Sequence, residues 1–332
     1  MSRGTFYLHV GPPKTGTTAV QGVLRGGGAA GLTYPQTGQW SDGAHHKLVF
    51  ALAGARKRGD TDIPPIDDLS APLIKELEAA EGDVLISSEL FEPDTSGRAF
   101  LERFGPAIAE RFDRIVIVIA VRDPLERAAS FYNQDVKDPV VGETRAPDLY
   151  LLEKPLRFAL MPLIDRWSQF SAQLLVINYH PAASFVSRFL KSLGHGDVAF
   201  AESTWQNRSM SGKSVLALLA ANRLLTEMKD REAFFASLRN DAAFRVWKGA
   251  SFPFSAPATE SFERVLRPDM DALRRESGVD LVSAHRAPPP RFTLSHEEVR
   301  QIWHHLDKLP GIDALREEME ELIDGFRASV PA

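Results

Sequence analysis

The stretch "YLHVGPPKTGTTAVQGVL" (residues 7–24) begins as an apolar, strand-like run, turns through a Gly- and Thr-rich segment, and leaves as an apolar-faced helix. A strand, a glycine-bearing turn and a helix N-terminus gather backbone N–H groups at one point, which is a cradle for phosphate. Gly11 and Gly16 have the spacing of the G-x-x-x-x-G-K-[ST] loop, and Thr18 fills its terminal Ser/Thr place. Thr17 stands where the lysine belongs, and Lys14 lies inside the loop instead. Ala19, Val20, Val23 and Leu24 give the following helix a face for a sheet. Pro13, Lys14, Thr15, Gly16, Thr17 and Thr18 are the candidate anion-binding residues.

Outward from this loop, short apolar runs over 83–87, 114–121 and 173–179 read with 5–10 as strands buried on both faces. A further short strand is expected at 31–35. Helical patterns cover 18–25, 67–80, 97–111, 124–134 and 150–170. This alternation predicts an α/β fold, a P-loop-type and mainly parallel sheet flanked by helices. Beyond residue 180 helical patterns dominate, as in "GKSVLALLAANRLL" (212–225). Ser295 with Glu298 makes a capping box, "LPG" (309–311) stops that helix, and Leu315, Met319, Leu322 and Phe326 line the next. The pattern predicts a single domain over 1–332, with a core sheet at about 5–180 and a helical portion at about 181–328.

The nucleotide hydrolases that share such a loop hold Mg²⁺ through its Ser/Thr and an acidic residue ending another strand. Strand 114–121 ends instead in "VRDP", with Arg122 first and Asp123 placed to cap a helix that Pro124 begins. That disfavours a metal-assisted NTPase or kinase with a degenerate loop. The 39 Lys and Arg against 44 Asp and Glu leave a net charge of −5, so a nucleic acid held by bulk charge is disfavoured too. With no cysteine, thiolate metal sites and Cys nucleophiles are excluded. No metal-ligand spacing of the H-E-x-x-H kind occurs. No signal peptide is seen, and the longest apolar run, Ile115 to Val121, is too short to span a bilayer as a helix. A cytoplasmic protein is expected.

"PKTGTT" (13–18) resembles the 5′-phosphosulfate loop of sulfotransferases that use 3′-phosphoadenosine 5′-phosphosulfate (PAPS). "VRDPLERAASFYNQ" (121–134) resembles their 3′-phosphate motif, with Arg122 and Ser130 eight residues apart, and is most similar to that of the heparan-sulfate and related carbohydrate sulfotransferases. The resemblance covers about the first 135 residues. It implies sulfuryl transfer from PAPS to an acceptor hydroxyl or amine, on a carbohydrate or glycolipid, normally without a metal. A catalytically silent nucleotide-binding scaffold is the reading from a different class, and Lys14, Arg122 and Ser130 together argue against it.

Within this reading Lys14 can stabilise charge on the leaving oxygen, and Thr17 and Thr18 can donate to the phosphate. Arg122 and Ser130 form a set for a dianionic phosphate. Arg127 shares a helix face with Ser130 but is read as structural. The acceptor must lose a proton, and Glu89 in "VLISSELFEP" stands just past a strand expected beside the first one. The carbohydrate enzymes carry an E-K-x-x-x-Y-F type sequence here, where this chain has "SSELF". His45 and His46 in "GAHHKL" are the rival base or an acceptor-binding pair. His9 reads as a core residue, and His304 and His305 as part of an amphipathic helix. The loops at 205–212 and 285–292, with Arg286 and Arg291, are read equally well as surface or as part of the nucleotide pocket.

Overall fold

The structure is a computed structural model that describes residues 3–25, 29–92, 94–170, 172–179, 185–196, 210–247, 254–281 and 293–326. In chain order its strands are β1 (Thr5–His9), β2 (Leu32–Thr33), β3 (Lys57–Arg58), β4 (Thr61–Asp62), β5 (Asp83–Ser87), β6 (Arg114–Val121) and β7 (Gln173–Asn178). The helices begin with α1 (Thr17–Arg25), α2 (His46–Leu52), α3 (Ile66–Ala79), α4 (Asp94–Arg111), α5 (Pro124–Lys137), α6 (Pro147–Glu153) and α7 (Met161–Ser168). They continue with α8 (Phe185–Ser192), α9 (Gly212–Leu224), α10 (Met228–Asn240), α11 (Ala256–Ser277), α12 (His296–Leu306) and α13 (Arg316–Asp324). Two compact units take these elements. One is Met1–Asp123, Ala159–Gln206 and Asp269–Leu281; the other is Pro124–Phe158, Asn207–Pro268 and Val282–Ala332.

The first unit is built on a parallel sheet of order β2-β5-β1-β6-β7, with β3 and β4 as a separate antiparallel ribbon. Side chains alternate across a strand, so one face carries Phe6, Leu8, Ile86, Ile117 and Ile119, and the other Tyr7, Leu85, Val116 and Val118. α2, α3, α4 and α7 cover the first face, and α1 and α8 the second. Helices on both faces are what make the apolar run of β6 tolerable. At the edges the expectation of full burial fails. Only Ile177 of β7 is buried, and the strand expected at 31–35 shrinks to the two residues of β2. An edge strand has a neighbour on one side alone, so its backbone and side chains keep solvent.

The single helix expected over 150–170 is instead α6, a 3₁₀ turn at Pro155–Phe158, and α7. Pro155 and Pro162 each remove an N–H and crowd the preceding turn, and Lys154 is driven to φ −139°. In the second unit α9 is buried on every side from Gly212 to Asn222, with α5, α10 and α12 packed on it. A helix apolar all round belongs at the centre of a bundle. The capping box forms as expected: the Glu298 N–H donates to Ser295 Oγ at 3.2 Å, and the Ser295 N–H to Glu298 Oε2 at 2.9 Å. α12 ends at Leu306, and the next helix buries Met319 and Ile323, where Leu322 was expected.

Candidate functional site

After β1 the chain runs to β2, beyond β5; after β6 it runs to β7 on the opposite side. The carboxyl ends of β1 and β6 therefore flank the point where strand order reverses, the place where open α/β sheets bind ligands. The loop at 11–16 leaves β1, and Arg122 leaves β6. Gly11 and Gly16 both have positive φ, 97° and 79°, and so does Lys14 at 69°. A Cβ on Gly16 would lie 2.6 Å from Tyr179 Cε2 and 2.9 Å from Phe185 Cδ1, so glycine is required there sterically as well. Lysine in the left-handed region is uncommon and must be held by its surroundings. Part of that hold is visible: Arg122 Nη1–H donates to the Lys14 carbonyl at 3.1 Å. The Arg122 guanidinium also lies 4.9 Å from the Tyr179 ring centre, and the Tyr179 N–H donates to Val121 O at 2.6 Å.

Within the loop the buried Thr15 hydroxyl donates to Pro12 O at 2.8 Å, closing the turn on itself. Its hydroxyl proton is thus committed inside the protein. Thr17 is buried and Thr18 half-buried in the first turn of α1, with Pro13 and Lys14 half-buried before them. Here the chain folds as the sequence predicts: a polar turn followed at once by the apolar stripe of Val20 and Leu24.

β5 pairs with β1 in parallel, which brings its exit beside the loop. The Ser88 N–H donates to His9 O at 3.1 Å, continuing the ladder past the strand end. Ser88 Oγ then caps the 3₁₀ turn Glu89–Phe91 by accepting from the Leu90 N–H at 3.2 Å. A Cβ placed on Gly11 would fall 3.1 to 3.3 Å from Glu89 atoms, so Glu89 lies directly against the start of the loop. Its side chain is 16% exposed, and its carboxylate is held from two sides. Gln21 Nε2–H donates to Oε2 at 3.0 Å, and His46 Nε2 lies 3.9 Å from Oε1. His46 Nδ1 is in turn 2.8 Å from Ser88 Oγ.

The neighbouring histidine is placed differently. His45 is fully buried, and its backbone N–H donates to Ser87 O at 2.8 Å while its Nδ1 accepts from the Ser87 N–H at 3.1 Å. Nε2 therefore carries the proton and donates to Pro35 O at 2.8 Å. Because β2 pairs only with Asp83 and Val84, Ser87 has no strand on that side, and His45 supplies the missing partner. Burial pushes its pKa down to about 4. His46 faces Glu89 and His45 faces the backbone.

His9 is buried and pairs in register with Ser87, its Nδ1 2.8 Å from Ser87 Oγ; burial pushes its pKa down to about 3. Gln21 and Ser87 complete this corner, and sequence reasoning did not assign Gln21. Its signal is a polar residue on the same α1 stripe as Val20 and Leu24, aimed at the sheet.

In the second unit Ser130 is half-buried on α5, and Arg127 is buried against the rings of Phe131 and Phe158 at 5.6 and 5.9 Å. His305 is buried with Nε2 2.9 Å from Asp241 Oδ2, and His304 is exposed. Residues 205–209 and 285–292, with Arg286 and Arg291, lie outside the described residues. Among the described residues no cluster of three or more His, Asp or Glu is placed to hold a metal ion, and no helix is long and apolar enough to cross a membrane.

No family model matches the chain, and no curated protein does. Among solved structures it is similar to a sulfotransferase from Alicyclobacillus acidocaldarius at 18% identity and a TM-score of 0.38, over 83% of this chain and 100% of that one. A likeness at that score carries no argument about this chain's chemistry.

Proposed function

We propose that the chain is a sulfotransferase that moves a sulfuryl group from PAPS to a hydroxyl or amine of a carbohydrate or glycolipid. The observation that carries the reading is the corner where Glu89 lies against Gly11, at the start of a loop whose lysine is internal and whose far side is tied to Arg122. A carboxylate beside a phosphate-type loop suits a reaction in which the acceptor must lose a proton while negative charge grows on a leaving phosphate. Glu89 takes the acceptor's proton. The acceptor oxygen or nitrogen then forms the new bond to sulfur, and the bond from sulfur to the 5′-phosphate oxygen breaks. The electron pair leaves with the phosphate, where Lys14 and the amides opening α1 stabilise it. Arg122, at the end of β6, is assigned to the 3′-phosphate.

Isothermal calorimetry with adenosine 3′,5′-bisphosphate, paired with transfer of radiolabelled sulfuryl to a panel of sugars and glycolipids, tests these roles. Lys14→Ala should lower turnover by about 10²-fold or more while weakening bisphosphate binding far less. Glu89→Gln should bind the bisphosphate as wild type does and lose most transfer at neutral pH. Wild-type transfer by Glu89→Gln, with loss in His46→Ala, would move the base to His46. A wild-type chain that neither binds the bisphosphate nor transfers to any acceptor would overturn the reading.

A further inference from the structure

We infer that Gln21 is a positioning residue that fixes the orientation of the Glu89 carboxylate, and that Ser87 and His9 set the direction of Gln21. The inference rests on the assignment of Glu89 as base. Gln21 is fully buried on α1, and its Nε2 reaches both Glu89 Oε2 at 3.0 Å and Ser87 Oγ at 3.1 Å. A carboxylate accepts only, so the nitrogen and not the oxygen of this amide must face Glu89. One amide hydrogen goes to each partner. Ser87 Oγ, accepting from Gln21, then has its own proton free for His9 Nδ1, 2.8 Å away. With the His9 proton on Nε2, the donors run from Gln21 to Ser87 to His9, and the other hydrogen of Gln21 ends on Glu89. Burial keeps His9 neutral, so Nδ1 can accept in that tautomer.

Among the described residues Gln21 Oε1 is buried with no hydrogen-bond partner. An orphaned buried acceptor costs free energy, which the two donor bonds to Glu89 and Ser87 offset. The glutamine is thus a well-aimed donor. The donor on Oε2 holds one carboxylate oxygen and leaves Oε1 on the His46 side. Among the described residues, His46 on α2 lies 3.9 Å from Glu89, and Tyr34, whose hydroxyl donates to Gly43 O, feels its charge.

Gln21→Met keeps the shape and removes the donor. Sulfuryl transfer is measured alongside calorimetry with adenosine 3′,5′-bisphosphate. Expected are bisphosphate binding as in wild type and a turnover lowered roughly tenfold, the scale of one hydrogen bond to a charged group. In a Glu89→Gln background the same change should cost little further turnover, because no carboxylate is left to orient. Ser87→Ala, which frees the far side of the amide, should lower turnover the same way by less, and it replaces Gln21→Met if that variant does not fold. Wild-type turnover in Gln21→Met, or a loss of bisphosphate binding in step with turnover, means Gln21 is only structural and overturns the inference. Wild-type transfer by Glu89→Gln overturns the base assignment instead, so the two failures are told apart.

Discussion

Lys14 is the residue at which backbone conformation and charge meet. At φ 69° a side chain bearing Cβ costs roughly 1 kcal/mol relative to glycine. Lys14→Gly and Lys14→Ala both remove the ammonium, but the glycine variant should be the more stable by about 1 kcal/mol in urea unfolding. Both should lose turnover alike. Equal stabilities would show that the loop relaxes out of the left-handed region. His9 and His45 make a second residue-scale case. Burial lowers their pKa from 6.5 to about 3 and about 4, so the unfolded chain binds protons that the folded one refuses. Their contribution is full above pH 6.5 and is lost as pH falls toward those values. Between pH 7 and pH 5 the two together should remove about 3–4 kcal/mol of unfolding free energy. A loss under about 1 kcal/mol would mean that both take up protons in the folded state. These residues also mark how far the sequence could be read. Gly11, Gly16 and Lys14 stand in a local pattern and Glu89 just past a strand end, so all four are legible as candidates. Gln21, Ser87 and His9 come together only through the parallel register of β1 with β5, a non-local fact.

α4 shows an element overriding its own propensities. Gly97 sits inside the helix, where Ala would be worth about 1 kcal/mol on propensity alone. A Cβ there would lie 2.0 Å from Cη2 of the fully buried Trp167 on α7. Gly97→Ala should therefore destabilise, by about 1–3 kcal/mol, because a close-packed core cannot yield at that ring. A stabilised variant would place the indole elsewhere. The same contrast explains which elements were legible. The strands at 5–10, 83–87 and 114–121 were found within a residue because a central parallel strand is apolar on both faces. The edges β2 and β7 look alike in sequence, yet their exposure depends on which neighbours the topology gives them. The helix expected over 150–170 is divided by Pro155 and Pro162, which are local signals.

For the whole molecule, the sharpest test of the proposed donor is its effect on stability. A ligand that binds the folded chain and not the unfolded one stabilises by about 2.7 kcal/mol at a hundred times its dissociation constant. The loop at 11–16 opens on one helix N-terminus, and Thr15 has already committed its hydroxyl proton within the loop. Arg122, which follows β6, supplies a guanidinium where a metal-dependent hydrolase would place a carboxylate. A nucleotide with single phosphates on its 5′ and 3′ oxygens suits this arrangement better than a triphosphate carrying Mg²⁺. Adenosine 3′,5′-bisphosphate without added metal should therefore raise the melting temperature more than ATP with Mg²⁺ at equal concentration. Arg122→Ala should remove most of that advantage, since a charge-assisted contact is worth about 1.5–3 kcal/mol. It should weaken adenosine 5′-phosphate much less. Because Arg122 also holds the Lys14 carbonyl, the variant needs a control, and Arg122→Lys serves as one by keeping the charge without the planar fork. Equal losses for the bisphosphate and the monophosphate would assign Arg122 to the loop alone, and a larger shift with ATP and Mg²⁺ would turn the reading toward a kinase.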